Sequence, residues 1–119
     1  MNAVSQISSQ TFQQEVLQSS VPVLIDFYAD WCGPCRMLAP VLERLAIEFS
    51  GRAKVVKVNV DQEPGLAGQF QVESIPTLVF LVAGRLVGRT AGLASEASLR
   101  QALNQLAGAG SQHTSKRVG

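Results

Sequence analysis

The stretch DFYADWCGPCRM, residues 26–37, holds both cysteines of the chain, Cys32 and Cys35, with Gly33 and Pro34 between them. Immediately upstream, VPVLIDFYA (21–29) is apolar at both parities of a period-two pattern and rich in branched and aromatic residues. That pattern predicts a strand buried on both faces, in the middle of a sheet. Downstream, Leu38, Val41, Leu42, Leu45 and Phe49 recur at three- and four-residue spacing, which predicts an amphipathic helix opening at CGPC. Pro34 suits its first turn, where a missing N–H costs nothing. Pro40 lies inside it and is expected to kink it, and Gly51 is expected to end it. AKVVKVNV (53–60) then predicts a second buried strand. Strand, helix and strand joined by a right-handed crossover form a βαβ unit with parallel pairing.

The remaining segments extend this unit in both directions. A weak strand opens the chain, and Ser8 or Ser9 can cap a first helix carried by Phe12, Val16 and Leu17. DQEPGLAGQF (61–70) supports a short helix opened near Pro64. TLVFLVAGRLVGRTA (77–91) has two apolar runs around Ala83-Gly84 and predicts a β-hairpin. Ser95 can cap a last helix with Leu99, Ala102, Leu103 and Leu106 on one face. GAGSQHTSKRVG (108–119) has no periodicity and is predicted to be a flexible tail. The expected organisation is one α/β domain over residues 1–107, a central five-stranded mixed β-sheet flanked by four helices, followed by that tail.

Composition narrows the function. A chain of 119 residues with 46% hydrophobic content can bury a single core unaided. The formal net charge is +1, with Lys116 and Arg117 both in the final stretch. No basic field is available for nucleic acid or an anionic membrane, and neither is an expected partner. The apolar runs are of strand length, short of the ~20 residues a membrane span requires. The first residues lack a basic and then long apolar signal pattern. A soluble monomer in a reducing compartment is expected: the cytoplasm, or an organelle stroma or matrix if a transit peptide has been removed.

Four uses compete for two thiols at this spacing. A structural zinc site needs about four ligands. The chain offers two cysteines and one histidine, His113 in the tail, which leaves only a dimer-bridging site as a metal option. A structural disulfide would close too small a loop to constrain the unfolded chain much. Core filling suits one cysteine, but not one at a helix N-terminus beside Trp31 and Gly33. Redox exchange fits each local feature. Free backbone N–H groups and the positive helix end favour a thiolate at Cys32. Cys35 lies one turn further in, shielded, yet close enough to attack a sulfur bound to Cys32.

Three further residues stand out. Asp26 is a carboxylate inside an apolar strand, where it costs free energy unless paired or protonated. Burial should raise its pKa. It is either a strand-end residue that reaches solvent or a proton carrier for Cys35. Lys57, on the strand face of Val55 and Asn59, reads as an edge lysine reaching for water. Pro76, after Ile75 at the start of a strand, removes one ladder donor and can adopt the cis bond.

WCGPC after a buried strand containing DFYA, followed by a helix with an internal proline, resembles the thioredoxin family. VVKVNVDQEPGLAGQFQVESIPTLVF and AGLASEASLRQAL resemble the family's later segments in order and spacing, so the resemblance spans about residues 4–107. It implies the thioredoxin fold and a small protein-disulfide reductase that carries no bound cofactor and works through a Cys32–Cys35 redox disulfide. Cys32 would be the nucleophile and Cys35 the resolving thiol. Asp26 would transfer the proton, acting through water, and Lys57 would lie near it in support. Pro76 would be cis and face the pair, with its neighbouring backbone free to bond an extended substrate segment. Trp31, Gly33, Pro34, Val60, Ser74, Ile75, Gly92 and Leu93 would border the exposed sulfur of Cys32 as a flat, mostly uncharged docking face. Ser74 and Leu93 fall where the family varies and would tune partner choice. Tyr28 stands where an aromatic, often tryptophan, is usual, and Arg36 where a basic residue is usual. Expected partners are disulfide-containing proteins and a thioredoxin reductase, NADPH- or ferredoxin-dependent. The Gly-Pro between the cysteines resembles the reducing members. Two rivals remain at this point: a disulfide oxidase or isomerase on the same fold, with a much less negative potential, and a redox-independent binding or assembly module.

Overall fold

The computed structural model describes residues 3–118, with side chains described as far as Gly108. Its strands are β1 (Ser5–Gln6), β2 (Val23–Tyr28), β3 (Lys54–Asn59), β4 (Thr77–Val82) and β5 (Arg85–Ala91). Its helices are a π-helical segment (Gln13–Leu17), α1 (Gly33–Glu48), α2 (Pro64–Gln69) and α3 (Glu96–Val118). The strands form one sheet in the order β1-β3-β2-β4-β5. β1 and β2 pair with β3 in parallel, while β4 is antiparallel to both β2 and β5. β2 is therefore the middle strand, as its two-sided apolar pattern requires, and all but Tyr28 of it is buried.

Each face of the sheet carries its own core. Leu24 of β2, Val55 of β3, and Leu78 and Phe80 of β4 pack with Leu38, Leu42, Leu45 and Phe49 along α1 and with Leu99 and Leu103 of α3. The opposite parity, Ile25, Phe27, Val56, Val58, Val79 and Leu81, packs with Phe12, Val16 and Leu66. Phe70 joins the second core, its ring 5.4 Å from Phe27 and 5.7 Å, edge-on, from Phe12. Burying apolar surface on both faces of β2 fixes register strongly, because a one-residue slip would exchange the two cores. It also decides which face every β2 side chain meets: Asp26 shares the parity of Leu24, and so lies on the α1 side.

Local chemistry sets the ends of these elements. Pro34 occupies the first turn of α1, and Pro40 lies within the helix without dividing it. Gly51 follows with φ 85° and lets the chain turn away. Ser95 caps α3, its Oγ accepting from Ser98 N at 3.1 Å. Arg44–Glu96 at 2.8 Å and Arg100–Glu48 at 2.9 Å join α1 to α3 on the surface, where such pairs contribute little. Two segments depart from the sequence reading. The first helix is a single wide turn, with Gln18 N donating to Gln13 O at 2.9 Å. Ser8 does not cap it: its Oγ accepts from Gln10 N at 3.2 Å in a local turn. Phe12 and Val16 are buried as expected, but Leu17 is exposed. The last helix continues to Val118, past the point where its apolar stripe stops.

The β4–β5 turn is the two-residue kind, with Ala83 at φ 53° and Gly84 at φ 77°. A Cβ on Gly84 would also meet the Leu17 carbonyl oxygen at 3.3 Å. Gly84→Ala should therefore destabilise the fold by about 1–2 kcal/mol, read as a lower urea midpoint at unchanged slope. An unchanged midpoint would mean that the turn relaxes into a conformation that tolerates a side chain.

Candidate active site

The central strand delivers the chain to the sheet's edge at Tyr28, and a tight turn carries it into α1, with Cys32 N donating to Ala29 O at 3.2 Å. Cys32 is the N-cap of α1, in extended conformation. Its Sγ accepts from Cys35 N at 3.1 Å, as a serine or aspartate oxygen does at ordinary helix starts. The two cysteines are joined in a disulfide, with Cα atoms 5.2 Å apart. When the bond is reduced, the same N–H and the helix end favour negative charge on Cys32 sulfur. Arg36 holds the turn from outside: its Nη1 donates to Asp30 O at 2.8 Å, so the residue has a structural contact the sequence did not reveal.

Cys35 is buried as expected, but Cys32 is too, each 4% exposed. The sequence suggested an open sulfur at Cys32. In the oxidised protein that sulfur is turned inward onto Cys35 and packs in a small cluster with Ala29, against Tyr28, Val60 and Ile75. Openness belongs to the rim instead. Trp31 is 68% and Leu93 54% exposed. Pro34 and Ser74 are exposed, Gly33, Val60, Ile75 and Gly92 half-buried, and Pro76 buried.

The rim is fixed by contacts that span the sequence. Trp31 Nε1 donates to Asp61 Oδ2 at 2.8 Å. Asp61 N in turn donates to Asn59 Oδ1 at 2.9 Å. Sequence reasoning passed over Asn59 and Asp61. The available signal was an asparagine at the end of a strand, which commonly bonds the backbone two residues on and shapes the turn. On the other side the Ile75–Pro76 bond is cis. Pro76 O accepts from Gly92 N at 2.8 Å, which ties the Pro76 and Gly92 loops together. Gly92 has φ 86° and open space where a Cβ would stand. Gly92→Ala should thus raise KM for a protein disulfide several-fold while leaving reduction of a small aromatic disulfide nearly unchanged, measured side by side. Equal effects on both substrates would assign the glycine to the loop alone.

Asp26 lies on the α1 face, 4% exposed, and its Oδ1 has no hydrogen-bond partner. That excludes the solvent-reaching alternative. Burial pushes its pKa from 3.8 to about 7, with the Lys57 charge pulling in the other direction. Lys57 is Asp26's in-register partner on β3. Its ammonium sits 5.6 Å from the centre of the Tyr28 ring. A buried carboxyl that titrates near neutrality can both accept and return a proton.

Among the described residues a groove of about 660 Å³ lies away from the cysteines, bordered by Ser19, Pro22, Arg52 and Asn104, at the far end of β2. Among the described residues no group of three His, Cys, Asp or Glu could hold a metal ion, and no helix is long and apolar enough to cross a membrane. The arrangement is a reactive disulfide set in a small apolar surface.

Comparison with known proteins agrees with this geometry. The chain matches the family pattern described as Thioredoxin over residues 3–105. It is 48% identical over 105 residues to Thioredoxin 1 of Nostoc, covering 88% of this chain and 98% of the relative. It is 53% identical over 93 residues to Thioredoxin 1 of Chlorobaculum tepidum, covering 78% and 92%. A solved structure of a mutant thioredoxin from Halobacterium salinarum superposes with a TM-score of 0.80 at 39% identity, covering 87% of this chain and 89% of that one.

Proposed function

The chain belongs to the thioredoxin family, and we propose how its residues divide that family's reaction among them. The protein is a disulfide reductase that acts by thiol–disulfide exchange through the Cys32–Cys35 pair. In the reduced protein the Cys32 thiolate attacks one sulfur of a substrate disulfide. The other substrate sulfur leaves as a thiolate and takes up a proton. Cys35 then gives its proton to Asp26 and attacks Cys32 Sγ. The Cys32–Cys35 bond forms, the second substrate sulfur is released, and two electrons have passed to the substrate. A thioredoxin reductase, NADPH- or ferredoxin-dependent, returns the dithiol.

The observation that carries this division is the capping bond from Cys35 N to Cys32 Sγ. It distinguishes two otherwise similar sulfurs: Cys32 receives the helix N–H, and Cys35 lies within the first turn. Trp31, Gly33, Pro34, Val60, Ser74, Ile75, Pro76, Gly92 and Leu93 form the docking face, with backbone beside Pro76 offered to an extended substrate segment. Lys57 supports Asp26. The working domain is residues 1–107, with 108–119 appended to it, and its place of work is the cytoplasm.

Cys35→Ser tests the assignment. Incubated with a disulfide-bonded protein, this variant should accumulate a mixed disulfide on Cys32, visible by mass and released by dithiothreitol. The same variant cut after Ala107 should trap equally well. A trap that stays empty with several substrates would overturn the division of labour. A loss confined to the shortened chain would overturn the domain boundary.

A further inference from the structure

The strand register makes an ion pair between Asp26 and Lys57 easy, and the structure does not form it. The two residues are Cα partners on adjacent parallel strands, within easy reach of a lysine stem. Among the described residues no ion pair to Asp26 occurs, and its buried Oδ1 is bare. The Lys57 ammonium stands over the Tyr28 ring instead, 5.6 Å from its centre. Tyr28 is two residues beyond Asp26 on the same strand face, so the cation has two neighbours to choose between and sits with the uncharged one. Burial raises the Tyr28 hydroxyl pKa, which keeps the ring neutral at physiological pH.

We infer that Tyr28 is a positioning residue for the proton carrier: its ring holds the Lys57 ammonium off the Asp26 carboxyl. The other groups around Asp26 leave this competition undisturbed. β4 sets apolar Leu78 opposite it in register. α1 covers the face with Leu38 and Leu42 and contributes the Cys32–Cys35 pair, which does not titrate while bonded. Asp30 acts on Tyr28, and Lys57 is the one charge that shifts Asp26. A lysine seated directly on Asp26 would hold it ionised near neutrality, and an ionised Asp26 has already lost the proton it must return to Cys35 in the reverse half of the cycle. The consequence for catalysis rests on Asp26 being the proton carrier, but the placement of the cation does not.

Carboxyl-carbon NMR titration of the oxidised, full-length protein separates the two. Tyr28→Leu, or Tyr28→Ile should the first be poorly folded, is expected to lower the Asp26 midpoint by about one pH unit or more as Lys57 moves over. Tyr28→Phe keeps the ring and should leave the midpoint in place. Lys57→Met should raise it, and adding Tyr28→Leu to Lys57→Met should then change nothing further. An unmoved midpoint in both aliphatic variants would overturn the inference. So would a fall that persists without Lys57, which would make the ring a water barrier rather than a cation holder. The pH midpoint of mixed-disulfide resolution should follow the NMR midpoint in Tyr28→Leu. If the NMR value moves and the kinetic one does not, the Tyr28 inference stands and the proton-carrier reading of Asp26 falls.

Discussion

Cys32→Ser should reduce protein-disulfide reduction by about three orders of magnitude or more, equivalent to about 4 kcal/mol of lost transition-state stabilisation. The argument is one of chemistry rather than fold. Thiol–disulfide exchange needs a sulfur nucleophile that is ionised near neutral pH, and a serine hydroxyl is neither a sulfur nor appreciably ionised there. The substitution is also unusually clean. Cys32 caps α1 by accepting Cys35 N at 3.1 Å, and serine is among the best residues for that task. Cys32→Ser should therefore fold, keep its helix and retain the docking face, so that lost activity cannot be blamed on lost structure. Insulin reduction followed by turbidity, with circular dichroism as the control, gives the reading. Residual activity above a few per cent of wild type would mean that Cys35 can begin the reaction unaided, against the asymmetry that the helix N-terminus imposes.

That asymmetry was legible in the sequence because everything it needs is local. A strand, two cysteines three apart and a proline in the first helical turn lie within a dozen residues. The sheet was legible for a related reason. The two parities of VLIDFY are both apolar, and that alone places β2 in the middle with Asp26 on one definite face. Relations that cross the sequence were not legible. Trp31 bonds Asp61 across thirty positions, and no pattern in either segment announces it. The seat of the Lys57 ammonium depends on a rotamer chosen between two neighbours, which period-two reasoning can bring near but cannot decide. The inward turn of Cys32 sulfur comes with its bond to Cys35, which the spacing of the two residues does not decide. Phe12 and Val16 are at helical spacing, but one wide turn satisfies that spacing as well as an ordinary helix does. The continuation of α3 past Leu106 has no signature in the sequence, because backbone helix needs no apolar stripe and periodicity reveals only helices that carry one.

The second large effect is expected on stability, and its sign is opposite to that of most substitutions in a core. In the oxidised protein the Asp26 carboxyl is raised from 3.8 to about 7, chiefly by burial. Between those two pH values the folded protein holds a proton that the unfolded chain has released. Stability must therefore fall as pH rises through this window and level off above it. A shift of about three units corresponds to a penalty on the order of 4 kcal/mol above pH 7, the cost of ionising a carboxyl whose Oδ1 has no partner. Asp26→Asn removes the titration. The amide still has to be buried with imperfect partners, which costs about 1–3 kcal/mol at every pH. The difference between variant and wild type is thus the useful quantity: it should favour the variant at pH 8 and swing against it by about 4 kcal/mol on moving to pH 4. Urea unfolding of both oxidised proteins at the two pH values measures it, and carboxylates common to both cancel. A difference independent of pH would mean that Asp26 keeps an ordinary pKa, and with it would go the reason to assign it the Cys35 proton. The kinetic partner of this result is a slower resolution of mixed disulfides by Asp26→Asn at pH 7. That deficit should shrink as pH rises and Cys35 ionises without help. A site that tolerates a destabilising carboxyl in the centre of its sheet, and loses speed when the carboxyl is neutralised, is one in which stability is exchanged for proton transfer.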